Sequence, residues 1–240
     1  MHIGGTVNEF NHYMNDTVLQ KTVEEKDLGV YVTPDLKSSV HVEKVAAKAN
    51  SVVGQIRKAF TFMDKEMFLP LYLTMVRPIM EYAVQAWSPK LVRDIDKLEK
   101  VQRRATKLVP EIRDLPYEIR LRELGLPSLF ERRVTGDMIE VFKIVNGFEN
   151  IDSEKFFKRV EVRDLHSDRP TTRGHSLKLE KHRHGHRSRM KFFDARVINK
   201  WNQLPETVVS SNNVNIFKRN YDRYISGLKT RGTFYEFLTL

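Results

Sequence analysis

WSPKLVRDIDKLEKVQRRATKLV, residues Trp87 to Val109, decides the fold: a Trp-Ser-Pro stop precedes a long, strongly basic amphipathic segment. At 100° per residue, its apolar side chains gather on one side of a helix and its basic ones on an adjoining side. The apolar side consists of Ile95, Leu98, Val101, Ala105 and Leu108. The basic side consists of Lys97, Lys100, Arg103, Arg104 and Lys107. The pattern predicts a helix that buries one face in a helical core.

The basic side has two interpretations: a solvated outer face, or a surface that follows a phosphate backbone. Between Lys97 and Lys107 the segment holds five basic residues and one acid, Glu99. Solvated faces usually mix both signs of charge, so this excess favours phosphate contact while leaving the solvated interpretation open.

Asp94 and Asp96 raise the question of a metal site in the same helix. Residues at i and i+2 diverge by about 200° around a helix, which makes them poor joint ligands for the paired ions of nucleases and polymerases. Acidic side chains in the first turn offset the helix dipole instead. We therefore predict a helix-terminal role for both.

Two helical segments are predicted before this helix. The apolar stripe of the first comprises Val45, Ala49, Val52, Val53, Ile56 and Phe60. The second, residues 64–87, is apolar nearly all round, which predicts a position at the centre of the bundle. Pro70 fits near its first turn, whereas Pro78 is expected to kink or interrupt it.

The rest of the chain completes a mainly α fold. The predicted order begins with a β-hairpin region (1–35), a helical bundle (36–110) and a helical extension (111–150). A basic loop-rich connector with room for a strand at HSLKLE (151–190), C-terminal helices (191–228) and a frayed or loosely docked tail (229–240) follow. In the extension, the buried stripe is Val134, Met138, Val141, Phe142 and Val145, with Gly147 as a C-cap.

Composition excludes several classes of function. The absence of cysteine removes disulfides, thiolate metal sites and cysteine nucleophiles. No run approaches the roughly 18 apolar residues of a spanning helix, and no signal peptide is recognisable, so we expect an intracellular protein, in the cytoplasm or nucleus, without a membrane partner. The net charge of +10 favours salt-dependent association with polyanions.

KHRHGHRSRMK, residues 181–191, is the second basic candidate and contains no acid. Its candidate nucleic-acid contacts are Arg183, Arg187, Arg189 and Lys191. A metal site at His182, His184 and His186 is the alternative, but Gly185 breaks the regular alternation and the chain has no cysteine; a solvated loop is the third interpretation.

No catalytic constellation emerges from the sequence. Glycine-rich phosphate loops, zinc-protease histidine pairs and a Gly-x-Ser-x-Gly elbow are all missing. We therefore predict no catalytic residue, no metal and no cofactor. Trp87 and Trp201 are expected to be core anchors rather than platforms for base stacking.

Taken in order, several motifs resemble the region after the catalytic palm of jockey-like non-LTR retrotransposon reverse transcriptases. The first are EEKDLGVYVTPDLKSSVHV and LYLTMVRPIMEYAVQAWSP, followed by DIDKLEKVQRRATKLV. The later ones are LRELGLPSLFERRVTGDMIEVFKIVNG, TTRGHSLKL, FFDARVINKWNQLP and VNIFKRNYDRYI. The resemblance runs from residue 1 to about 226. It implies a palm remnant, then a helical thumb that grips a template–primer duplex, then a C-terminal region that holds RNA or product.

The chain also departs from that family. The family's Ala/Val-Asp-Asp signature is absent, and no Asp-Asp dipeptide occurs. We therefore expect a non-catalytic fragment, either a truncated copy or a partial gene model, that binds RNA or an RNA–DNA hybrid. The alternative function is that of a helical scaffold that binds a protein partner. In that case we expect an exposed apolar patch and basic residues scattered over the surface.

Overall fold

The computed structural model of this chain is mainly helical, as the sequence predicts, and describes residues 1, 3, 11–160, 174–181 and 192–239. The chain divides into two units, residues 1–130 and residues 131–240. No helix in the described residues is long and apolar enough to span a bilayer.

The first unit begins with two short antiparallel hairpins, which confirms the predicted β start. Strands β1 (Tyr13–Met14) and β2 (Thr17–Val18) form the first; β3 (Glu25–Asp27) and β4 (Val30–Val32) form the second. The residues that join each pair have positive φ angles: Asn15 and Asp16 in the first hairpin, Leu28 and Gly29 in the second. Such two-residue turns match the right-handed twist of the strands. The turn that the sequence favours at Gly4-Gly5 lies outside the described residues.

Six α-helices follow in the first unit. They are α1 (Ser39–Ala59), α2 (Lys65–Leu71), α3 (Arg77–Glu81), α4 (Val84–Trp87), α5 (Val92–Thr106) and α6 (Tyr117–Glu123). A π-helical turn, Tyr72–Val76, joins α2 to α3, and a 3₁₀ turn, Pro110–Ile112, follows α5. Helix α5 coincides with the predicted basic helix.

Pro78 interrupts the second predicted segment, as expected. Proline has no N–H to donate. Just before Pro78 the helical hydrogen bonds change from the usual four-residue to a five-residue spacing, because the Arg77 N–H donates to the Tyr72 carbonyl. Pro70 differs from the prediction, because it lies in the second turn of α2 rather than the first.

The predicted central position of the second segment is wrong. Its buried side chains form one line at four-residue spacing: Phe68, Tyr72, Val76, Met80 and Val84. The other side is open, with Met67 39 % and Met75 46 % exposed. A helix with apolar side chains on every side is usually buried on every side. In this segment, however, only one face packs against neighbouring elements. Trp87 is a core anchor, as predicted, with its indole N–H donated to the Tyr82 carbonyl at 2.7 Å.

Among its described residues, the second unit contains most of α7 (Leu129–Val145) and five further α-helices. These are α8 (Phe193–Arg196), α9 (Ile198–Asn202), α10 (Glu206–Val209), α11 (Val214–Arg231) and α12 (Phe234–Thr239). All five residues of the predicted α7 stripe are buried. Gly147 ends α7 with a φ of 71°, which confirms the predicted cap. The expected strand at HSLKLE reduces to a single bridge between Arg159 and Leu179.

Stacked aromatic rings form the centre of the second unit. Phe217 stacks on Phe142, with ring centroids 4.3 Å apart, and lies 6.1 Å from Trp201. Trp201 is fully buried and donates its indole N–H to the Leu177 carbonyl, so it is the predicted core anchor. Of the two forms predicted for the tail, frayed or loosely docked, the structure has a docked one: the tail forms α12, which buries Phe234 and Phe237. Those aromatic side chains supply the apolar area that anchors it.

Candidate nucleic-acid interface

Helix α5 divides cleanly into a buried side and a charged outer side. The buried side covers about 160° of the helix and comprises Asp94, Leu98, Glu99, Val101, Gln102, Ala105 and Thr106. The outer side covers about 120° and comprises Lys97, Lys100, Arg103, Arg104 and Lys107, which we call the basic face. Lys97 is half-buried and the other four are exposed. The structure therefore brings together all five residues predicted from the periodicity.

Helix α1 runs parallel to α5 along one edge of the basic face. Three side-chain contacts in the same order show this: Ser39 with Asp94, Glu43 with Lys97, and Asn50 with Arg104. The distances are 2.6, 3.6 and 3.5 Å. This packing fixes which part of α5 faces outward.

Asp94 has a second role beside the predicted one. It does lie in the first turn of α5, but it is buried, and its carboxylate accepts the Ser39 hydroxyl hydrogen bond from the first turn of α1. This partner is 55 residues away in the chain, so the local sequence pattern indicated only an interaction with the end of the helix. Asp96 is exposed and lies on the basic face.

Glu99 is turned into the core, away from the basic face. Its carboxylate accepts hydrogen bonds from the Tyr117 hydroxyl and, at 3.1 Å, from the Leu129 backbone N–H. Burial raises the pKa of Tyr117, and the negative charge of Glu99 raises it further. The single acid between Lys97 and Lys107 therefore contributes no carboxylate to the surface. The sequence analysis placed Glu99 among the surface charges, because the residues that bind its carboxylate in the core are remote from it in sequence.

The basic face is only lightly paired. Lys97 has the ion pair with Glu43, and the Arg103 guanidinium lies 4.6 Å from the centre of the Tyr117 ring. Within the part of the chain that the structure describes, Lys100 and Lys107 form no ion pair. An extended polyanion that approaches this face would therefore meet cations without having to break strong internal ion pairs.

Arg120 is a component that the sequence did not single out. This α6 residue is buried, donates a hydrogen bond from Nη1 to the Arg103 carbonyl at 3.1 Å, and lies 5.5 Å from the centre of the Tyr117 ring. Burial lowers its pKa, although a guanidinium stays protonated at neutral pH. Two guanidinium groups thus flank one tyrosine ring at the edge of the basic face. The helical extension predicted for residues 111–150 gave no indication that Arg120 would face inward.

The second predicted basic site falls in residues 181–191, of which the structure describes Lys181. Arg183, Arg187, Arg189 and Lys191, with His182, His184 and His186, lie outside the described residues. Among the residues that are described, no group of three or more His, Asp or Glu side chains has the arrangement of a metal site.

The second unit contains a buried ion pair that the sequence analysis missed. Arg196 bonds Asp137 through Nε at 2.9 Å and Nη2 at 2.8 Å, a bidentate arrangement. Burial raises the pKa of Asp137, whereas the nearby charges of Arg196, Lys200 and Arg133 lower it. The two-pronged geometry favours the ionised carboxylate. The pair is a structural feature of the unit, and the 59-residue separation explains why no local pattern indicated it.

Comparisons with known proteins assign no function to this surface. No family model matches the chain, and no solved structure matches it. An uncharacterized protein of Caenorhabditis elegans is 23 % identical over 124 residues, which are 50 % of this chain and 63 % of the relative. The chain thus covers less than two thirds of that relative, whose description names no activity.

Proposed function

We propose that this chain binds nucleic acid, RNA or an RNA–DNA hybrid, through the basic face of α5. The observation that carries the proposal is the inward turn of Glu99, which leaves five cations with Asp96 as the one acid on that face of the helix. A merely solvated helix has no need to separate its charges in this way.

The dimensions of the basic face suit a phosphate backbone. From Lys97 to Lys107 it extends about 15 Å along the helix axis. One nucleic-acid strand carries a phosphate about every 3.4 Å along a duplex axis, so the face matches about four phosphates. Contacts of this kind give affinity without reading sequence.

The choice of RNA or a hybrid rests on the resemblance to retrotransposon reverse transcriptases. In that interpretation, residues 36–110 correspond to a thumb, and α5 grips the template–primer duplex. The proposal assigns binding alone to this chain, as a non-catalytic fragment of an RNA-directed DNA polymerase, because the catalytic aspartates of the family are not in the sequence.

A charge-removal experiment tests the proposal. The double variant Lys100→Gln/Lys107→Gln removes two exposed cations from the basic face, and we expect it to weaken binding of a fluorescent RNA–DNA hybrid about tenfold or more. The matched control, Lys48→Gln/Lys218→Gln, removes the same charge from exposed positions on α1 and α11 and is expected to retain nearly full affinity. Equal losses of affinity in the two variants would mean that binding depends only on the net charge of the protein, which would overturn the proposal.

A protein-interaction role is the second candidate, favoured by the exposed Phe62, Met67 and Met75 of the first unit. Apolar side chains grouped in one stretch of sequence are typical of a docking surface. This role predicts that Met67→Gln/Met75→Gln abolishes complex formation with a protein partner, while Lys100→Gln/Lys107→Gln does not. The reverse pattern would exclude it.

A further inference from the structure

A cavity of about 240 Å³ lies between α10 and α11 in the second unit. One water molecule occupies roughly 30 Å³ in the liquid, so the cavity exceeds what a single bridging water would fill. Its walls combine apolar side chains, including Val208 and Leu228, with polar ones, including Asn220 and Tyr224.

Gly227 leaves this cavity open. It occupies the interior of the 18-residue helix α11, where glycine disfavours the helix relative to alanine. Close packing does not require it, because no neighbouring heavy atom lies within 4 Å of the position that a Cβ would take. A larger side chain at this position would enter the cavity instead of colliding with a neighbour.

Two arginines border the cavity on either side of Gly227. Arg223 precedes the glycine by four residues and Arg231 follows it by four, so all three lie on one face of α11, with the arginines about 12 Å apart along the axis. Both are exposed, and neither forms an ion pair with any residue that the structure describes. A ligand in the cavity would therefore meet positive charge at each end of its mouth.

Tyr224 provides an aromatic side chain in the wall. It is half-buried, and its ring packs edge-to-face with Phe237 of α12, with centroids 5.9 Å apart. Burial raises the pKa of Tyr224, while the positive charge of Arg231 opposes the rise. Apolar walls, a fixed tyrosine and flanking guanidinium groups suit a ligand that joins a flat ring to a phosphate.

We infer that this cavity binds a nucleotide, with the base against the apolar wall beside Gly227 and the phosphate at Arg223 or Arg231. Free nucleotides and unpaired nucleotides within a strand share this chemistry. If the nucleotide belongs to a strand, the inference rests on the proposed nucleic-acid-binding function and adds a second contact to it. An acidic peptide would satisfy the arginines but leave the ring-sized apolar space unfilled, so we favour the nucleotide.

The test fills the cavity without breaking the helix. Gly227→Leu places an apolar side chain in the space, and Gly136→Leu makes the same change inside α7, where a Cβ also has no atom within 4 Å. We expect the first to weaken binding of a short fluorescent oligouridylate about tenfold, the scale of one stacked base, and the second to leave it unchanged. Arg223→Gln/Arg231→Gln should also weaken binding, whereas Lys48→Gln/Lys218→Gln, an equal change of charge at exposed positions that do not line the cavity, should not.

Uridine monophosphate, observed by saturation-transfer NMR, distinguishes the two sources of the nucleotide. Loss of its signal in Gly227→Leu supports a free nucleotide, whereas an effect confined to the oligouridylate supports a strand. Equal affinities of Gly227→Leu and Gly136→Leu for both probes would overturn the inference, as would a polyglutamate peptide that binds with the same dependence on Gly227.

Failure of this inference is distinguishable from failure of the proposed function. Oligouridylate binding that requires Lys100 and Lys107 but ignores Gly227 overturns the cavity and supports the basic face. Binding that depends on Gly227 but not on the two lysines supports the cavity and overturns the basic face. Absence of all binding overturns both.

Discussion

The buried Glu99 carboxylate accepts a hydrogen bond from the Tyr117 hydroxyl, and this bond helps to give α5 an outer face dominated by cations. Because the carboxylate also accepts the Leu129 N–H, the acid is satisfied where it lies and gains little by turning outward. One interaction in the core thus shapes the charge pattern of the surface.

Tyr117→Phe tests that arrangement. Removing the hydroxyl takes one hydrogen bond from a buried carboxylate, and bonds to charged groups contribute about 1.5–3 kcal/mol to the free energy of unfolding. We expect urea denaturation to show a loss in that range. Tyr13→Phe, at an exposed position, is the control and should cost less than about 0.5 kcal/mol. Similar costs for the two variants would show that Glu99 does not depend on Tyr117.

Ser39→Ala tests the bond that links the first turns of α1 and α5. The substitution leaves the buried Asp94 carboxylate without the Ser39 hydroxyl, and we expect the free energy of unfolding to fall by about 1.5–3 kcal/mol. Ser51→Ala, at an exposed position on α1, should change stability by less than about 0.5 kcal/mol. A neutral Ser39→Ala would mean that the hydrogen bond between Ser39 and Asp94 does not help to hold the two helices together.

Two buried histidines predict a loss of stability in mild acid. Nδ1 of His41 accepts the Tyr31 N–H, Nδ1 of His175 accepts the Leu177 N–H, and burial lowers the pKa of both rings below the ordinary 6.5. As the pH falls, the unfolded chain takes up these protons first. The stabilisation is therefore complete above about pH 6.5 and is lost as the pH falls through the folded-state pKa values.

The measurement is the free energy of unfolding as a function of pH in the wild type, in His41→Gln and in His175→Gln. Each substitution should flatten the decline below about pH 6.5, by up to about 1.4 kcal/mol per pH unit. Unchanged slopes would mean that other groups cause the acid sensitivity.

Asp137→Asn should strongly destabilise the second unit. The change removes the negative partner of Arg196 and leaves the positive charges of Lys200 and Arg133 near the site without it. Loss of one partner of a buried pair costs about 3–5 kcal/mol, and the partial exposure of Arg196 favours the lower end. A double-mutant cycle with Arg196→Met measures the coupling by urea denaturation. Additive effects would contradict a direct interaction.

The sequence predicted those features that repeat along a helix. The stripe of α7, the interruption at Pro78 and the cations of α5 follow from spacing and from the chemistry of single residues, and the structure has them where they were expected. The inward turn of Glu99 and the burial of Arg120 depend on partners elsewhere in the chain. Those partners are positioned by tertiary packing, which no local window of sequence contains.

The cavity beside Gly227 illustrates the same limit. In the sequence, Gly227 is only a mild helix breaker within a strongly periodic segment. Its significance depends on α10 lying opposite, because only then does the missing side chain become a space bordered by Arg223 and Arg231.

The salt dependence of binding tests the central claim most directly. The slope of log affinity against log salt, measured with an RNA–DNA hybrid, reports the number of phosphates neutralised. We predict that Lys100→Gln/Lys107→Gln lowers the magnitude of this slope by about 2, or about one for each lost contact, whereas Lys48→Gln/Lys218→Gln leaves it unchanged. The same slope in the wild type and in both double variants would contradict binding through the basic face.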